Sequence, residues 1–285
     1  MKILSNFRSL DDPLLSILNT KFGDKPFTFF NDYIPKSIEE LQYNPYNFLL
    51  LHEPDEFFGM HTWVKNNHNY FTAILTWNEE LLNTIPNAVL FTHNSRSTSD
   101  EYVNSFRDII NKTFEVSFLA GAKTLVEGHR FRQEIYKIKD QITIPKKWFH
   151  TLSDFDADDF AKGGIGRPGE SWESKKICFN EPMFHVAVEN VRHNNWYTEK
   201  IGEALCTKTV PIYWGAPNIG EFYDERGIIT FNTKEELINI VNNLTPELYY
   251  EMKPYIDYNY ELAIVGHLPC KLDEFFTQFC ILNSL

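Results

Sequence analysis

Residues 183–214 have the sequence MFHVAVENVRHNNWYTEKIGEALCTKTVPIYW, and this stretch indicates the fold more directly than any other. Its two ends, Met183–Val188 and Thr209–Trp214, are apolar runs that predict buried strands, and Thr198–Cys206 between them has the spacing of an amphipathic helix. A strand, a helix and a strand in this order form a βαβ unit. In open α/β sheets, ligands bind at the carboxyl ends of strands, and a helix N-terminus there favours anions. The stretch therefore predicts a site for a phosphorylated sugar or a nucleotide.

Three polar residues stand where the first strand passes into the helix. Glu199 offers a carboxylate suited to sugar hydroxyls, and Lys200 adds a full positive charge. A lysine so close to a helix N-terminus opposes the helix dipole, which indicates an anionic partner. The alternative is that both are solvated residues of a first turn. Asn190 is either a ligand or a turn residue that tolerates unusual backbone angles.

Parts of this region resemble the donor-binding motif of the family 10 glycosyltransferases, the α-1,3/4-fucosyltransferases. They are VEN at 188–190, YTEKI at 197–201 and VPIYWGAP at 210–217. The family pattern is roughly F-E-N-[ST]-x-x-x-x-Y-[VI]-T-E-K, followed by P-[IV]-x-[WY]-G-[AS]-P. A separate block, GHRFRQEIY at 128–136, resembles the family's R-x-x-x-Y helix. The resemblance covers roughly residues 114–232, and the first hundred residues resemble the family much less.

This resemblance implies a fold and a reaction. The fold is α/β with the GT-B architecture, in which two Rossmann-like domains face each other across a cleft. The reaction is an inverting transfer of L-fucose from GDP-β-L-fucose to a hydroxyl of a glycan or glycolipid, as in glycan biosynthesis. The rival hypotheses are a GT-B transferase that uses another GDP- or UDP-sugar, and a non-catalytic protein that binds a sugar nucleotide or a glycan.

The resemblance also implies which residues bind the donor. Arg132 takes the place of the family's phosphate-binding arginine, and Arg130 is its alternative. A planar guanidinium suits this role because it binds a diphosphate bidentately. Asn190 matches a residue that contacts the donor, Glu199 matches one that engages ribose or sugar hydroxyls, and Lys200 matches one that binds the phosphates.

The two aromatic residues before Thr198 complete the predicted donor site. Trp196 stands where the family usually has tyrosine, so its ring would stack on the base or the sugar while the phenolic hydroxyl is lost. This departure leaves the identity of the donor sugar open. Tyr197 is a secondary candidate.

A catalytic base is expected at the end of a strand in the N-terminal half. An inverting transferase needs a carboxylate that takes the proton of the acceptor hydroxyl while the anomeric carbon is attacked from the opposite face. Glu53 follows a predicted strand and resembles the glutamate of the family's G-E-N segment, with His52 and Pro54 in place of its neighbours. Asp55 and Glu56 are the competing candidates, and the alternative is an acidic, solvated loop.

Short apolar runs, spaced at roughly 20 residues in the first half, predict parallel α/β sheets. The predicted strands are 3–7, 27–30, 48–51, 71–77, 88–92, 114–120, 183–188, 210–214 and 228–231. We predict an N-terminal acceptor-side domain, 1–110, and a C-terminal donor-binding domain, 111–285, whose final helix packs back on the first. Asp100 would cap a helix over 101–110. The alternative is one continuous doubly wound sheet.

Composition and charge exclude several classes of protein. The net charge is −12, whereas nucleic-acid phosphates require a basic face, so no nucleic-acid partner is expected. Apolar runs are too short for a membrane span and the N-terminus lacks a signal region, so we expect a cytoplasmic protein. Animal and plant members of the family that the chain resembles are Golgi proteins with an N-terminal anchor, so the resemblance without such an anchor implies the bacterial or viral soluble type. The four cysteines lack metal-ligand spacing and are expected to be reduced.

We expect no cofactor and no metal. The D-x-D spacing within 154–159, which in GT-A transferases holds a divalent metal, lies in a loop rich in Asp, Gly and Pro and is expected to be solvated. Arg132 and Lys200 would instead stabilise the leaving diphosphate. The histidines that share no ligand spacing and have no assigned role are His61, His68, His129 and His193.

Overall fold

The computed structural model describes residues 1–5, 13–93, 99–108, 111–150 and 176–285. The strands are β1 (Lys2–Ser5), β2 (Phe27–Asn31), β3 (Tyr46–Leu51), β4 (Ala73–Thr76), β5 (Ala88–Leu90), β6 (Thr113–Ala120), β7 (Lys146–His150), β8 (Pro182–Val188), β9 (Val210–Trp214) and β10 (Ile229–Thr230). The helices are α1 (Pro13–Phe22), α2 (Ile38–Leu41), α3 (Asp55–Phe58), α4 (Met60–Asn67), α5 (Glu79–Thr84), α6 (Asp100–Asn104), α7 (Glu127–Lys137), α8 (Glu199–Cys206), α9 (Lys234–Asn242), α10 (Pro246–Val265) and α11 (Leu268–Leu282).

The chain divides into two compact units. Unit 1 consists of Met1–His93, Asn194–Trp196 and Gly266–Leu285, and unit 2 consists of Asn94–His193 and Tyr197–Val265. Each unit contains one five-stranded parallel sheet, in the order β1-β2-β3-β4-β5 in unit 1 and β10-β9-β8-β6-β7 in unit 2. The alternative of one continuous sheet is therefore wrong. The domain bounds 1–110 and 111–285 stay a prediction.

Both faces of the sheet in unit 1 are covered, which explains why its strands are apolar on both sides. Phe48 and Leu50 of β3 pack in a cluster with α1 and α11, whereas Leu49 and Leu51 pack in a cluster with α4. The ring centroid of Phe276 on α11 lies 5.1 Å from that of Phe48. Burying one such ring stabilises the fold by about 1.5–3 kcal/mol. The predicted final helix exists, and it belongs to unit 1.

In unit 2 the strand β8 lies at the centre of the sheet, between β6 and β9. One face packs against α7 and α9, for example through Phe184 of β8 and Ile135 of α7. The other face packs against α8 and α10, where Tyr213 contacts the cluster that includes Ile201 and Tyr260. This position makes β8 a strand that is buried along its whole length.

Four features differ from the sequence-based predictions. Strand β7 and the long helix α10 were not predicted. The predicted cap at Asp100 is wrong, because the hydroxyl of Ser99 accepts the N–H of Tyr102 and Asp100 is already the first helical residue. The helix predicted over 101–110 ends at Asn104. Within the described ranges, no helix combines the length and the hydropathy that a membrane crossing requires.

Candidate functional site

The carboxyl end of β8 is tied to the start of α8 by a buried carboxylate. Glu189 follows β8 directly, and its Oε1 accepts the N–H of Thr198 at 2.8 Å while its Oε2 accepts the Thr198 hydroxyl at 2.7 Å. Thr198 is the N-cap residue of α8. Burial raises the pKa of Glu189, and the charge of Lys200 opposes that rise. The strand end and the helix N-terminus are therefore held together, as the βαβ prediction requires.

Arg132 on α7 reaches the same strand end. Its Nη1 donates to the carbonyls of Val188 and Glu189, and its Nη2 donates to Oδ1 of Asn190 at 2.8 Å. Burial lowers the pKa of Arg132 to about 10, while Glu189 and Glu199 oppose that shift, so the side chain stays cationic at neutral pH. Among the described residues, its Nε–H and second Nη2–H make no hydrogen bond. These two donors can bind an anion.

Two glycines allow this close approach. A Cβ at Gly128 would lie 1.8 Å from the carbonyl oxygen of Glu189 and 2.8 Å from that of Asn190. The N–H of Gly128 donates to that same Asn190 carbonyl at 2.8 Å. A Cβ at Gly215, which follows β9, would lie 2.1 Å from the hydroxyl oxygen of Tyr213 and 2.6 Å from Cγ of Glu189. A side chain at Gly128 would push α7 away from the end of β8, and one at Gly215 would displace the side chains of Tyr213 and Glu189.

Lys200 lies among the carboxylates of the site. Its Nζ is 3.0 Å from Oε1 of Glu199 and 3.6 Å from Oε2 of Glu189, and it donates to the Thr198 hydroxyl at 3.1 Å. The Lys200 side chain is 22% exposed and that of Glu199 is 30% exposed, so both are open to a ligand. Arg132 and Lys200 together balance the charges of the two glutamates.

His129, to which the sequence assigned no role, lies among the cations of this site. Its pKa is lowered to about 4, first by burial and then by the positive charges of Arg132, Lys123, Lys200 and Arg130. The imidazole is therefore neutral at pH 7. Four cations surround this imidazole in a chain whose net charge is −12, and Glu189 and Glu199 offset two of them. Such a concentration of positive charge attracts anions.

The two arginines of α7 have different partners. Nη1 of Arg130 donates to the carbonyls of Thr124 and Leu125 at 3.2 and 3.1 Å, so this side chain holds the segment before α7. Arg132 instead contacts Asn190 and the end of β8. The geometry favours Arg132 over Arg130 as the anion ligand. The donor-binding role of either arginine stays a prediction.

Trp196 belongs to unit 1, unlike the other predicted donor residues. Its indole Nε1 donates to the carbonyl of His52 at 2.9 Å, and its ring lies 6.1 Å from that of Trp77. The ring is buried, with 2% of its surface exposed. The stacking of Trp196 on a base or sugar stays a prediction. Tyr197 belongs to unit 2, where it is buried against Phe222 with ring centroids 5.1 Å apart.

In unit 1 the ends of β2 and β3 meet at Asp32, a residue that the sequence analysis missed. Oδ1 of this buried side chain accepts the N–H of His52 at 2.7 Å and that of Glu53 at 3.1 Å. Burial raises the pKa of Asp32 to about 6, an effect that the charge of His52 opposes and that of Glu53 reinforces. The sole sequence signal was a pair of polar residues, Asn31 and Asp32, after the apolar run of β2.

His93 and Trp77 complete a group that we call the strand-end cluster: Asp32, His52, Glu53, Trp77 and His93. Nδ1 of His52 lies 3.0 Å from Nε2 of His93, and the two rings are stacked with centroids 4.8 Å apart. Nε1 of Trp77 donates to the carbonyl of His52 at 3.0 Å. The cluster gathers two carboxylates and two imidazoles at one edge of the sheet.

The competitors of Glu53 lie in α3 and have other surroundings. Oδ1 of Asp55 accepts the N–H of His61 at 2.7 Å, which ties α3 to α4. Glu56 is exposed. Glu53 itself is half-buried and is tied to the rest of the strand-end cluster through its backbone N–H, which donates to Asp32. Its catalytic role stays a prediction, and this geometry favours it over its two neighbours.

In the part of the chain that the structure describes, no three His, Cys, Asp or Glu side chains are grouped as metal ligands. The D-x-D spacing at 154–159 lies outside the described residues. The absence of a metal cofactor therefore stays a prediction.

Known proteins resemble this chain in sequence. Residues 153–282 match the model of glycosyltransferase family 10 (fucosyltransferase) C-term, a segment that includes β8, α8 and β9. A stretch of 96 residues, 33% of this chain, is 26% identical to the α-(1,3)-fucosyltransferase FucT of Helicobacter pylori. That stretch spans 19% of the length of the curated relative.

Solved structures resemble this chain in fold. A crystal structure of an α1,3-fucosyltransferase has a TM-score of 0.54 at 15% identity, covering 93% of this chain and 88% of the other. The structure of an α1,3-fucosyltransferase with GDP-fucose has a TM-score of 0.53 at 14% identity, with the same coverage. TarM also has a TM-score of 0.53, at 12% identity, covering 93% of this chain and 57% of that one.

The class of protein follows from these matches. The predicted fold class, α/β with the GT-B architecture, is confirmed, because the chain shares the fold of these structures. Within that class, residues 153–282 match family 10, the fucosyltransferases, so the resemblance stated from the sequence is confirmed. This homology supports the prediction of a glycosyltransferase enzyme.

Proposed function

We propose that this protein transfers L-fucose from GDP-β-L-fucose to a hydroxyl group of a glycan or glycolipid, with inversion at the anomeric carbon. One observation carries the proposal: Arg132, Asn190 and Lys200 converge at the end of β8. The strand and α8 lie within the residues that match family 10. The fold relative with GDP-fucose supports this nucleotide sugar as the donor.

Unit 2 binds the donor in this proposal. The two remaining N–H groups of Arg132 and the Nζ of Lys200 bind the diphosphate, and the N-terminus of α8 adds a partial positive charge. Lys200 then exchanges its contact with Glu199 for a phosphate oxygen, which leaves that carboxylate to accept hydrogen bonds from ribose or sugar hydroxyls. Arg132 fixes Asn190 through Oδ1, and the Asn190 amide N–H₂ makes no hydrogen bond among the described residues, so it can donate to the donor.

Glu53 is the base in this proposal. The acceptor hydroxyl attacks C1 of fucose on the face opposite the phosphate, and Glu53 takes the hydroxyl proton. As the bond between C1 and the phosphate oxygen breaks, negative charge develops on the leaving GDP. Arg132 and Lys200 neutralise that charge, so the proposed reaction needs no divalent metal.

Two rivals remain from the sequence, and each has a distinguishing observation. The first rival is the hypothesis that the donor is another GDP- or UDP-sugar. It is motivated by Trp196, which replaces the tyrosine of the family pattern. A non-catalytic binding protein would have no use for a base. Glu53, whose N–H is held by the buried carboxylate of Asp32, favours an enzyme over a binding protein.

A nucleotide screen tests the donor. GDP should stabilise the folded protein more than UDP, CMP or TDP, by RT ln(1 + [L]/Kd), about 2.7 kcal/mol at a concentration of 100 Kd. GDP-fucose with a panel of glycan acceptors should then release GDP, and excess chelator should leave this activity intact. An equal or larger stabilisation by UDP would overturn GDP-fucose as donor. GDP binding without turnover of any GDP-sugar would favour the binding protein.

A pair of arginine variants tests the site. Arg132→Lys keeps the charge but loses the planar fork, and one lost charge-assisted hydrogen bond costs about 1.5–3 kcal/mol, so GDP affinity should fall about 10- to 100-fold. Arg130→Ala is the matched control on the same helix and should change GDP affinity less than about three-fold, because a screened surface charge contributes little. The reverse ranking would transfer the phosphate-binding role to Arg130.

A further inference from the structure

The backbone of His52 is held on both sides by side chains of unit 1. Its N–H donates to Oδ1 of Asp32, and its carbonyl accepts the indole N–H of Trp77 at 3.0 Å and that of Trp196 at 2.9 Å. The same Asp32 oxygen accepts the N–H of Glu53. We call Asp32, Trp77 and Trp196 the His52 clamp. It fixes the two peptide groups that precede the side chain of the proposed base.

Asp32 occupies its position at an energetic cost. Its backbone has φ 44°, in the left-handed region that residues other than glycine, asparagine and aspartate rarely adopt. Its carboxylate is buried, which raises its pKa to about 6. An asparagine would accept the same two N–H groups without a buried charge. A buried carboxylate on a left-handed, non-glycine backbone costs free energy, and such costs cluster at functional sites.

We propose that the His52 clamp positions Glu53 for the transfer step, so that Asp32 and Trp196 act on catalysis through the base without touching the sugar. This inference rests on the proposed function, in which Glu53 is the base. It also assigns a role to Trp196 other than the stacking expected from its place in the donor motif. Its buried indole N–H orients the loop after β3.

Paired variants separate positioning from general stability. Asp32→Gly accepts the left-handed backbone but removes the acceptor oxygen, whereas Asp32→Asn keeps both. Trp196→Phe keeps an aromatic ring but removes the indole N–H. Trp63→Phe is its matched control in unit 1, because Nε1 of Trp63 makes no hydrogen bond among the described residues.

We expect the variants that break the clamp to lower kcat and to leave KM nearly unchanged. Asp32→Gly and Trp196→Phe should lower kcat about 10- to 100-fold, the effect of misplacing a catalytic group by about 1 Å, with KM for GDP-fucose changed less than about three-fold. Asp32→Asn and Trp63→Phe should keep kcat within about three-fold of the parent. Unchanged kcat in both Asp32→Gly and Trp196→Phe would overturn the proposal. Equal losses in Asp32→Asn and Asp32→Gly would also overturn it.

Hydrogen exchange provides a readout that does not depend on activity. The amides of His52 and Glu53 should exchange faster in Asp32→Gly and Trp196→Phe and at the parent rate in Asp32→Asn and Trp63→Phe. Unchanged exchange in the first two variants would refute the clamp. If the parent protein turned over no GDP-sugar, the proposed function would fail by itself, and the exchange rates would still decide whether the clamp exists.

Discussion

Gly128→Ala should destabilise the protein, although alanine is the better helix former. In a helix without neighbours the change is favourable by about 1 kcal/mol. Here the new Cβ would lie 1.8 Å from the carbonyl oxygen of Glu189, whereas real Cβ contacts are at least 3.0 Å. The start of α7 must therefore move by about 1.2 Å, the difference between these two distances.

That movement breaks contacts that hold the site together. The 2.8 Å hydrogen bond from Gly128 N–H to the Asn190 carbonyl would be lost, together with at least one bond from the Arg132 guanidinium. A neutral hydrogen bond contributes about 1 kcal/mol and a charged one about 1.5–3 kcal/mol. After the gain in helix propensity is subtracted, we expect a net loss of roughly 1.5–3 kcal/mol in the free energy of unfolding.

Urea unfolding measures this loss, and Gly121→Ala is the matched control because a Cβ there would meet no atom within 4 Å. The control should stay within about 0.5 kcal/mol of the parent. Gly128→Ala should also weaken GDP binding, since Arg132 moves with the helix. A Gly128→Ala protein that is as stable as the parent and binds GDP equally well would refute the packing of α7 on the end of β8, and with it the placement of Arg132.

Three further predictions concern titrating groups. Glu53→Gln should keep GDP affinity but lower turnover roughly 10²- to 10⁴-fold, because a glutamine cannot take the proton; near-parent turnover would move the role to Asp55 or Glu56. Asp32→Asn should be more stable than the parent at pH 7 by up to about 3 kcal/mol. The pKa of Asp32 is about 6 in the folded protein and 3.8 in the ordinary carboxyl, so the parent loses stability as the pH rises from 3.8 to 6. Unfolding measured as a function of pH should therefore show that the two proteins are equally stable near pH 4. In an NMR titration, saturating GDP should raise the pKa of His129 from about 4, because the diphosphate offsets the surrounding cations; an unchanged pKa would place the nucleotide elsewhere.

The centre of unit 2 was predictable because its sequence carries local signals. Strands β8 and β9 are continuous apolar runs, and Thr198 is a cap residue before an amphipathic helix. The predicted strand 183–188 is therefore within one residue of β8. The sequence also placed Asn190 and Lys200 near one another, since the end of a strand and the start of the following helix meet in a βαβ unit.

Other elements lacked such signals. Strand β7, Lys146–His150, begins with two lysines at the edge of the sheet, where burial imposes little apolar pattern. Helix α10 contains Pro254 and has tyrosines on several faces, which hides its periodicity. The bond from Asp32 to His52 and Glu53 joins residues about 20 positions apart in the sequence, so it exists only once β2 and β3 pair.

The place of Trp196 in the donor motif did not indicate which residues it contacts. Its place two residues before Thr198 suggested a role beside the donor. The structure assigns Asn194–Trp196 to unit 1 and the residues on either side to unit 2. No local sequence pattern marks these three residues as part of unit 1, because the partners of Trp196 are His52 and Trp77, more than a hundred positions away.

The division of unit 1 among three chain segments has a consequence for biosynthesis. A ribosome makes Met1–His93 first, yet one face of that sheet is covered by α11, whose Leu272 and Phe276 are fully buried in the cluster around Phe27 and Phe48. Domains generally fold as units while the chain emerges. The sheet of Met1–His93 is made before the helix that covers it, so the aromatic side chains on that face stay uncovered until residues 268–282 leave the ribosome. Its apolar surface is therefore exposed, and open to aggregation, throughout the synthesis of unit 2.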